Sequence, residues 1–275
     1  MNLLSCPTFS VHFIGLAFLL LLIALFGSFL APYDPLKVNY DFSLQPPSFL
    51  HIFGTDKLGR DVFSRILCGA KTSFGLTFLM LFLIVFIGMI VGLIAGLSND
   101  KVESFFNNII NGLLAFPDTI FAIAIVGIVG AGLFNTVFAL ALIWWTKYAR
   151  LTLALVKQEK KKNYLVMAKM SGVPTLQRII RYLLPNILSQ ILVTAFLDIG
   201  NMMISLAGLS FLGLASQPPQ PEWGAMLYES KQFMQVAPWM MFFPGLVLFI
   251  CVLIFNLLSE DIRDYLDPKH YEEKL

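Results

Sequence analysis

The stretch "NYLVMAKMSGVPTLQRIIRYLLPN", residues 163–186, determines how the rest of this sequence is interpreted. It is too polar to cross a membrane, yet from Thr175 onward its apolar residues fall on one helical face, at the spacing i, i+3, i+4, i+7 and i+8. These residues are Leu176, Ile179, Ile180, Leu183 and Leu184. A shorter face upstream comprises Tyr164, Met167 and Ala168. Because Gly172 and Pro174 interrupt the pattern, the stretch predicts a helix, a sharp bend and a second helix, after which Pro185 opens the next element.

The composition around this stretch is that of a membrane protein. The chain has 275 residues, of which 57% are hydrophobic and 13% are charged, whereas a soluble domain carries about 25% charged residues. Uncharged windows long enough to cross a hydrocarbon core of about 30 Å recur along it. The six predicted spans are 11–31, 74–97, 105–129, 134–156, 186–214 and 239–258. The third contains Phe116-Pro117-Asp118, where the proline predicts a kink. The sequence therefore predicts an all-α integral membrane protein with six transmembrane helices.

Basic residues set the predicted orientation of these spans. The loop after the fourth span and its flanks carry Lys147, Arg150, Lys157, Lys160, Lys161, Lys162, Lys169, Arg178 and Arg181. The only acidic residue among them is Glu159. An excess of Lys and Arg marks a cytoplasmic loop, so both termini are predicted inside and residues 32–73 and 215–238 outside. The charge is explained by the membrane, and no nucleic-acid partner is predicted. The second helix of 163–186 either lies on anionic headgroups or docks in a groove of a cytoplasmic partner.

One carboxylate falls inside a predicted span. Placing Asp198 near mid-membrane costs roughly 2.5–3.5 kcal/mol, so it should face protein or water and not lipid. Asn201 and Met202 follow it at i+3 and i+4. These three residues either line a pathway for a cation or clamp one helix to another. The histidines, His12, His51 and His270, lie far apart in the predicted topology, so no metal site is predicted.

A second polar stretch, "FGTDKLGRDVFSRILCGAKTS" at residues 53–73, is dense in charge. Its charged residues include Asp56, Lys57, Arg60, Asp61 and Arg65. They either pair with one another in an elbow that fixes where the next helix enters the membrane, or receive an extracellular protein. Gly54 and Gly59 allow tight backbone turns between them.

Both polar stretches resemble those of a known family. The bend at Gly172 followed by Leu184-Pro185 resembles the "EAA" loop of permease subunits of ATP-binding-cassette (ABC) importers, although Val166-Met167-Ala168 stands where Glu-Ala-Ala is usual. The stretch 53–73 resembles the G-T-D-x-x-G-R-D-x-x-S-R-x-x-x-G signature of dipeptide, oligopeptide and nickel permeases of the second-subunit type. The signature positions matched here are Gly54, Thr55, Asp56, Gly59, Arg60, Asp61 and Arg65. The stretches "SFLGLASQPPQPEWGAML" (210–227) and "FNLLSEDIRDYLDP" (255–268) are also similar to that subgroup.

The resemblance implies the type I ABC importer permease fold in a bacterial inner membrane. It implies an N-terminal span with an extracellular charged segment over 1–73, and a permease core over 74–275 with five spans and a coupling loop at 158–185. The positions implied to couple this chain to an ATPase are Tyr164, Ala168, Gly172, Pro174, Leu184 and Pro185. The implied partners are a second permease, two cytoplasmic ATPase subunits and an extracellular substrate-binding protein.

ATP and Mg²⁺ are expected on the ATPase, and no cofactor is expected on this chain, because it has no G-x-x-x-x-G-K-S/T phosphate loop and is not predicted to be an enzyme. The segment "LDIGNMM" (197–203) looks more like nickel permeases than peptide permeases. Nickel or a nickel chelate is therefore the expected cargo, with dipeptides or oligopeptides as the alternative. A secondary transporter and an intramembrane enzyme are more distant alternatives, since no repeat and no paired catalytic groups are visible.

Overall fold

A computed structural model of the chain describes residues 7–215 and 219–266, and the long regular elements in this part of the chain are helices. The helices are α1 (Pro7–Leu30), α2 (Val62–Leu97), α3 (Asp100–Leu114), α4 (Asp118–Val129), α5 (Leu133–Lys160), α6 (Asn163–Met170), α7 (Thr175–Arg178), α8 (Leu184–Phe211), α9 (Trp223–Ser230) and α10 (Trp239–Leu266). The described residues form no strand; a single bridge joins Thr55 and Asp61. The all-α prediction is confirmed. The predictions for the chain ends, residues 1–6 and 267–275 with His270, lie outside the described residues.

Five helical stretches in the described part of the chain are long and apolar enough to cross a membrane, and α3 with α4 makes a sixth if the pair counts as one span. Two predicted starts were wrong. The second span begins at Val62 and not at 74, so more than half of the charged stretch, residues 62–73, is helical. The fifth begins upstream of 186, because Thr175–Phe211 forms one continuous helix. Window counting stops at charged residues, and it cannot see the long-range partners that neutralise them.

The third predicted span is broken more sharply than a proline kink. Its halves, α3 and α4, meet at 87° around Phe116 and Pro117. The Lys160 ammonium donates to the Gly96 carbonyl at 3.0 Å, so the ends of α2 and α5 lie side by side. Because α5 is long enough to cross the membrane once, the chain between α2 and α5 must also cross. The bent pair is therefore one broken span and not a re-entrant loop.

The chain divides into two compact units. The first comprises Met1–Leu79, Ile125–Val137 and Leu197–Leu275. In it α10 contacts both α1 and α9. The helices α1 and α2 approach so closely at Gly27 that a Cβ there would lie 2.6 Å from the Leu67 carbonyl oxygen. The first unit also contains the charged stretch.

The second unit comprises Met80–Ala124 and Phe138–Phe196, and in it α2 and α5 approach each other closely. Gly88, Gly92 and Gly96 form one stripe along α2 at i, i+4 and i+8. A Cβ at these positions would lie 2.5 Å from Tyr148 Cβ, 2.5 Å from Thr152 Cβ and 2.7 Å from Val156 Cγ1, respectively. Membrane helices pack by such small-residue stripes because lipid provides no hydrophobic force between them.

Candidate functional site

The stretch 163–186 folds as predicted into two helices around a bend. The first, α6, ends in a Schellman motif, in which the Val173 amide donates to the Ala168 carbonyl at 3.1 Å. Gly172 takes the left-handed conformation that this motif requires, with φ of 75°. Pro174 then lies immediately before α7, where its fixed φ suits a helix start. The prediction of a helix that begins at Thr175 is confirmed.

A network around Glu159 fixes the start of α6. The Tyr164 hydroxyl donates to one carboxylate oxygen of Glu159, and the Lys162 ammonium lies 2.6 Å from the other. Burial, together with the neighbouring Glu159 carboxylate, raises the pKa of Tyr164 to about 12. The hydroxyl therefore stays protonated at physiological pH and continues to donate. This bond ties the predicted coupling residue Tyr164 to the last turn of α5.

The π-helical turn Ile179–Leu183 joins α7 to α8 without a break. In it the Leu184 amide donates to the Ile179 carbonyl, five residues back. Pro185 has no N–H to donate, and a wider turn is a usual way to place a proline in a continuous helix. Leu184 is half-buried and Pro185 exposed. Leu184 and Pro185 were predicted to end one helix and start another. They lie instead within one continuous helix.

Apolar side chains cover the outer face of α6 and α7. Leu165, Ala168 and Leu183 are buried and anchor the segment. The exposed apolar side chains are Val166, Met167, Met170, Leu176 and Ile180, hereafter the docking surface. Met170 is 84% exposed and Leu176 is 68% exposed. A group of large exposed apolar side chains next to basic residues marks a contact with another protein or with lipid.

Four charged side chains of the stretch 53–73, those of Asp56, Arg60, Asp61 and Arg65, are buried and paired. The Asp56 carboxylate lies 2.6 Å from Arg60 Nε and 2.6 Å from Arg65 Nη1. Glu229 on α9 lies 2.8 Å from Arg60 Nη2 and 3.1 Å from Arg65 Nη2. Each of the four side chains is at most 4% exposed. Two acids and two bases thus form a neutral buried quartet, and sequence reasoning missed Glu229 because it is remote along the chain.

A second pair lies beside the quartet. His51 Nδ1 and Asp61 Oδ1 are 2.9 Å apart, and the other oxygen of Asp61 accepts from the Ser64 hydroxyl at 2.7 Å. The Thr55 hydroxyl donates to the Phe42 carbonyl and accepts from the Gln45 amide at 2.8 Å. Gly59 has φ of 71°, and a Cβ there would lie 1.7 Å from the Asn39 carbonyl oxygen. The signature residues therefore build a rigid, closely packed elbow; reception of an extracellular protein by them stays a prediction.

Helix α9 is held by another buried acid. Glu222 accepts from the Gly224 and Ala225 amides, each at 2.8 Å, and so caps α9. Burial raises its pKa, while these amides and the Ser73 and Ser210 hydroxyls oppose the rise. The Trp223 indole donates to the Ile66 carbonyl at 3.0 Å and so fixes α9 against α2. The "PEW" of the sequence motif is the signal for this cap.

The three residues predicted to share a polar face in the fifth span differ in their burial. Asp198 and Met202 are buried, at 2% and 0% exposure, whereas Asn201 is exposed. Both the pathway and the clamp stay predictions for Asp198. Within residues 7–215 and 219–266, no group of three or more His, Cys, Asp and Glu side chains could hold a metal ion.

Comparison with known proteins matches almost the whole chain. Residues 88–270 match the family described as the binding-protein-dependent transport system inner membrane component. Residues 11–47 match the N-terminal TM domain of oligopeptide transport permease C. The MetNI methionine ABC transporter, solved in inward facing conformations, aligns with a TM-score of 0.55 and 21% identity over 72% of this chain and 95% of that one. This likeness concerns the fold alone.

Three curated relatives are similar to nearly the same extent. The di/tripeptide transport system permease protein DppC of Pseudomonas aeruginosa is 40% identical, with 93% of this chain and 87% of that protein covered. The nickel transport system permease protein NikC of Escherichia coli K12 is 38% identical, with 91% and 90% covered. The glutathione transport system permease protein GsiD of Shigella flexneri is 41% identical, with 91% and 83% covered. The chain therefore belongs to the binding-protein-dependent inner membrane transport components, among the dipeptide, oligopeptide and nickel permeases of ABC importers.

Proposed function

We propose that this permease subunit imports nickel or a nickel chelate, and that its docking surface seats a partner ATPase. The observation that carries the docking proposal is the exposure of large apolar side chains on α6 and α7 while Leu165, Ala168 and Leu183 anchor the same segment. An anchored, bent helix pair with an apolar outer face suits a groove on a soluble partner.

In the proposed complex, partners bind this chain on both sides of the membrane and within it. Basic residues after α5 place α6 and α7 in the cytoplasm by the positive-inside rule, with both chain ends on the same side. Two ATPases bind there with ATP and Mg²⁺, a second permease pairs with this chain within the membrane, and a substrate-binding protein delivers cargo outside. ATP binding and hydrolysis drive alternating access, because cargo moves only when the partners favour one of two states.

The continuous helix Thr175–Phe211 is the proposed mechanical link. A movement of the ATPase that displaces α7 carries α8 with it, since the π-helical turn Ile179–Leu183 joins the two in one continuous helix. The bend at Gly172 lies on the other side of α7 and allows α6 to adjust.

Leu176→Asp is expected to weaken ATPase binding, since it buries a carboxylate in an apolar contact. We expect at least a tenfold loss of the ATPase that copurifies in detergent, with normal membrane insertion, since burying one unpaired charge costs several kcal/mol. Gln177→Asp is the matched control, because it adds the same charge at the neighbouring position, off the apolar stripe. Unchanged copurification of Leu176→Asp would favour the alternative that this face lies on lipid headgroups.

The nickel proposal rests on "LDIGNMM", since identities of 38–41% to nickel, di/tripeptide and glutathione permeases do not favour one cargo. We expect deletion of the gene to abolish uptake of labelled nickel by the host and leave uptake of a labelled dipeptide intact. Loss of dipeptide uptake alone would replace nickel by peptides and leave the docking proposal standing. Transport by this chain alone in liposomes, without an ATPase, would overturn the importer itself.

A further inference from the structure

The break between α3 and α4 lies deep in the membrane. Glu103 on α3 contacts Lys157 on α5 at 2.5 Å, and Asn111 on α3 contacts Arg150 on α5 at 2.6 Å. The two helices thus run antiparallel, and Lys157 belongs to the basic cluster that marks the membrane boundary. At 1.5 Å per residue, Ala115 lies about 18 Å beyond Glu103. In a hydrocarbon core of about 30 Å, that places the break near the middle.

The backbone at this break is not covered by the chain itself. Ala115, Phe116 and Pro117 are all exposed, and Phe116 is 59% exposed. Non-helical backbone at membrane depth is tolerated only where protein covers it or where it lines a water-filled cavity. Lipid is therefore excluded as its neighbour, and either the second permease or an aqueous path lies against it.

The carboxylate of Asp118 distinguishes a contact with the second permease from an aqueous path. Asp118 is half-exposed, and its side chain accepts hydrogen bonds from the amide and the hydroxyl of the adjacent Thr119, at 2.7 and 3.3 Å. Both are neutral donors, the N-terminus of α4 adds only a partial positive charge, and no Lys, Arg or His side chain among the described residues forms an ion pair with the carboxylate. An ionised carboxylate at mid-membrane costs roughly 2.5–3.5 kcal/mol unless it faces water or a cation. The buried Asp198, by contrast, is only 2% exposed on this chain.

We propose that the break at Ala115–Asp118 lines the translocation path and that Asp118 attracts the positively charged group of the cargo as it passes. This inference rests on the proposed importer function and adds a residue that selects cargo by charge. The positive group is either a divalent metal ion or the ammonium of a peptide, and both offer the same charge to the carboxylate. Attraction between unit charges a few ångströms apart is strong enough to control passage in a narrow aqueous path, where the effective dielectric constant lies below that of bulk water.

The transport test uses the complete complex with its binding protein in proteoliposomes, at saturating cargo, with separate arms for labelled nickel and a labelled dipeptide. Asp118→Asn keeps the size and the acceptor for Thr119 but removes the charge. For the cargo that the wild type imports, we expect the initial rate to fall about tenfold, as the Coulomb attraction is lost. ATP hydrolysis and copurification of the second permease should stay unchanged. Asp118→Glu should retain at least about half of the rate, since its charge is kept.

Asp100→Asn is the matched control, because it removes a carboxylate from the first turn of the other half of the same broken span. It should transport like the wild type. A wild-type rate in Asp118→Asn would overturn this inference while leaving the importer intact. Loss of the second permease from purified Asp118→Asn would also overturn it, since the carboxylate would then be a contact between subunits. No import by the wild-type complex in either arm would instead refute the proposed function.

A second measurement does not depend on transport. In the assembled complex, a cysteine at position 118 should react with a membrane-impermeant thiol reagent beyond the background of the natural cysteines. Phe82→Cys is the control, because Phe82 is an apolar side chain of α2 that is more exposed than Asp118, at 63%. Labelling of Asp118→Cys but not of Phe82→Cys supports a water-filled path. Protection of Asp118→Cys would overturn it.

Discussion

Glu229→Ala is expected to destabilise the permease by about 3–5 kcal/mol, because it leaves two buried guanidiniums to share one carboxylate. Arg60 and Arg65 are 1% exposed, and after the change Asp56 alone faces both of them. One positive charge then stays buried without a partner, which costs far more than the lost ion pair contributed. The measurement is the thermal unfolding midpoint of the purified complex in detergent, together with the yield of inserted protein.

A double variant separates lost charge balance from lost packing. Arg65→Met combined with Glu229→Met removes one base and one acid, so the remaining Asp56–Arg60 pair is neutral. We expect the double variant to unfold at a higher temperature than Glu229→Ala, since well-packed apolar groups often replace a buried ion pair without loss. Glu260→Ala, which removes an exposed carboxylate from α10, should match the wild type. A double variant less stable than the single one would contradict the charge-balance argument.

Gly92→Leu is expected to force α2 and α5 apart and to destabilise the second unit by at least about 1–3 kcal/mol, the usual cost of overpacking. A Cβ at this position already lies 2.5 Å from Thr152 Cβ and 2.6 Å from the Ala149 carbonyl oxygen. Backbone oxygen cannot rotate away as a long side chain can, so the helices themselves must move. The readout is again the unfolding midpoint, with protease sensitivity of the α2–α5 region as a local probe.

Gly75→Ala on the same helix is the matched control. No atom lies within 4 Å of a Cβ at Gly75, so alanine there should be neutral or stabilise the helix by up to about 1 kcal/mol. Equal stability of Gly92→Leu and the wild type would show that α2 and α5 are not held by this stripe.

Local patterns were predictable from the sequence, and long-range pairings were not. The helix, bend and helix of 163–186 follow from apolar spacing and from Gly172, and both are properties of neighbouring residues. The site of the break at Pro117 was predicted for the same reason, though a proline alone does not set an angle of 87°. The start of α2 was predicted too late, because Arg65 looks too polar for a helix of a membrane span until Glu229 is placed beside it.

Two further features could not be predicted from a single sequence. The glycines at 88, 92 and 96 carry a readable stripe, but only the structure shows that α5 is the helix that fills it. Asp198 and Asn201 share a helical spacing, yet one is buried and the other exposed, since the i+3 position drifts around the helix from the first residue. The spacing of residues in the sequence predicts which helical face they share. The neighbouring parts of the structure determine which of those residues are buried.

The buried quartet also sets an order of events during synthesis. Glu229 is 169 positions away from Arg60, and at 5–20 residues per second the ribosome needs roughly 8–34 s to reach it. For that time Asp56 is the sole acid for two arginines, and we expect the elbow to stay open to solvent and proteases. A nascent chain arrested before Glu229 should therefore be cut within residues 53–65, and the same segment should become resistant once α9 has emerged.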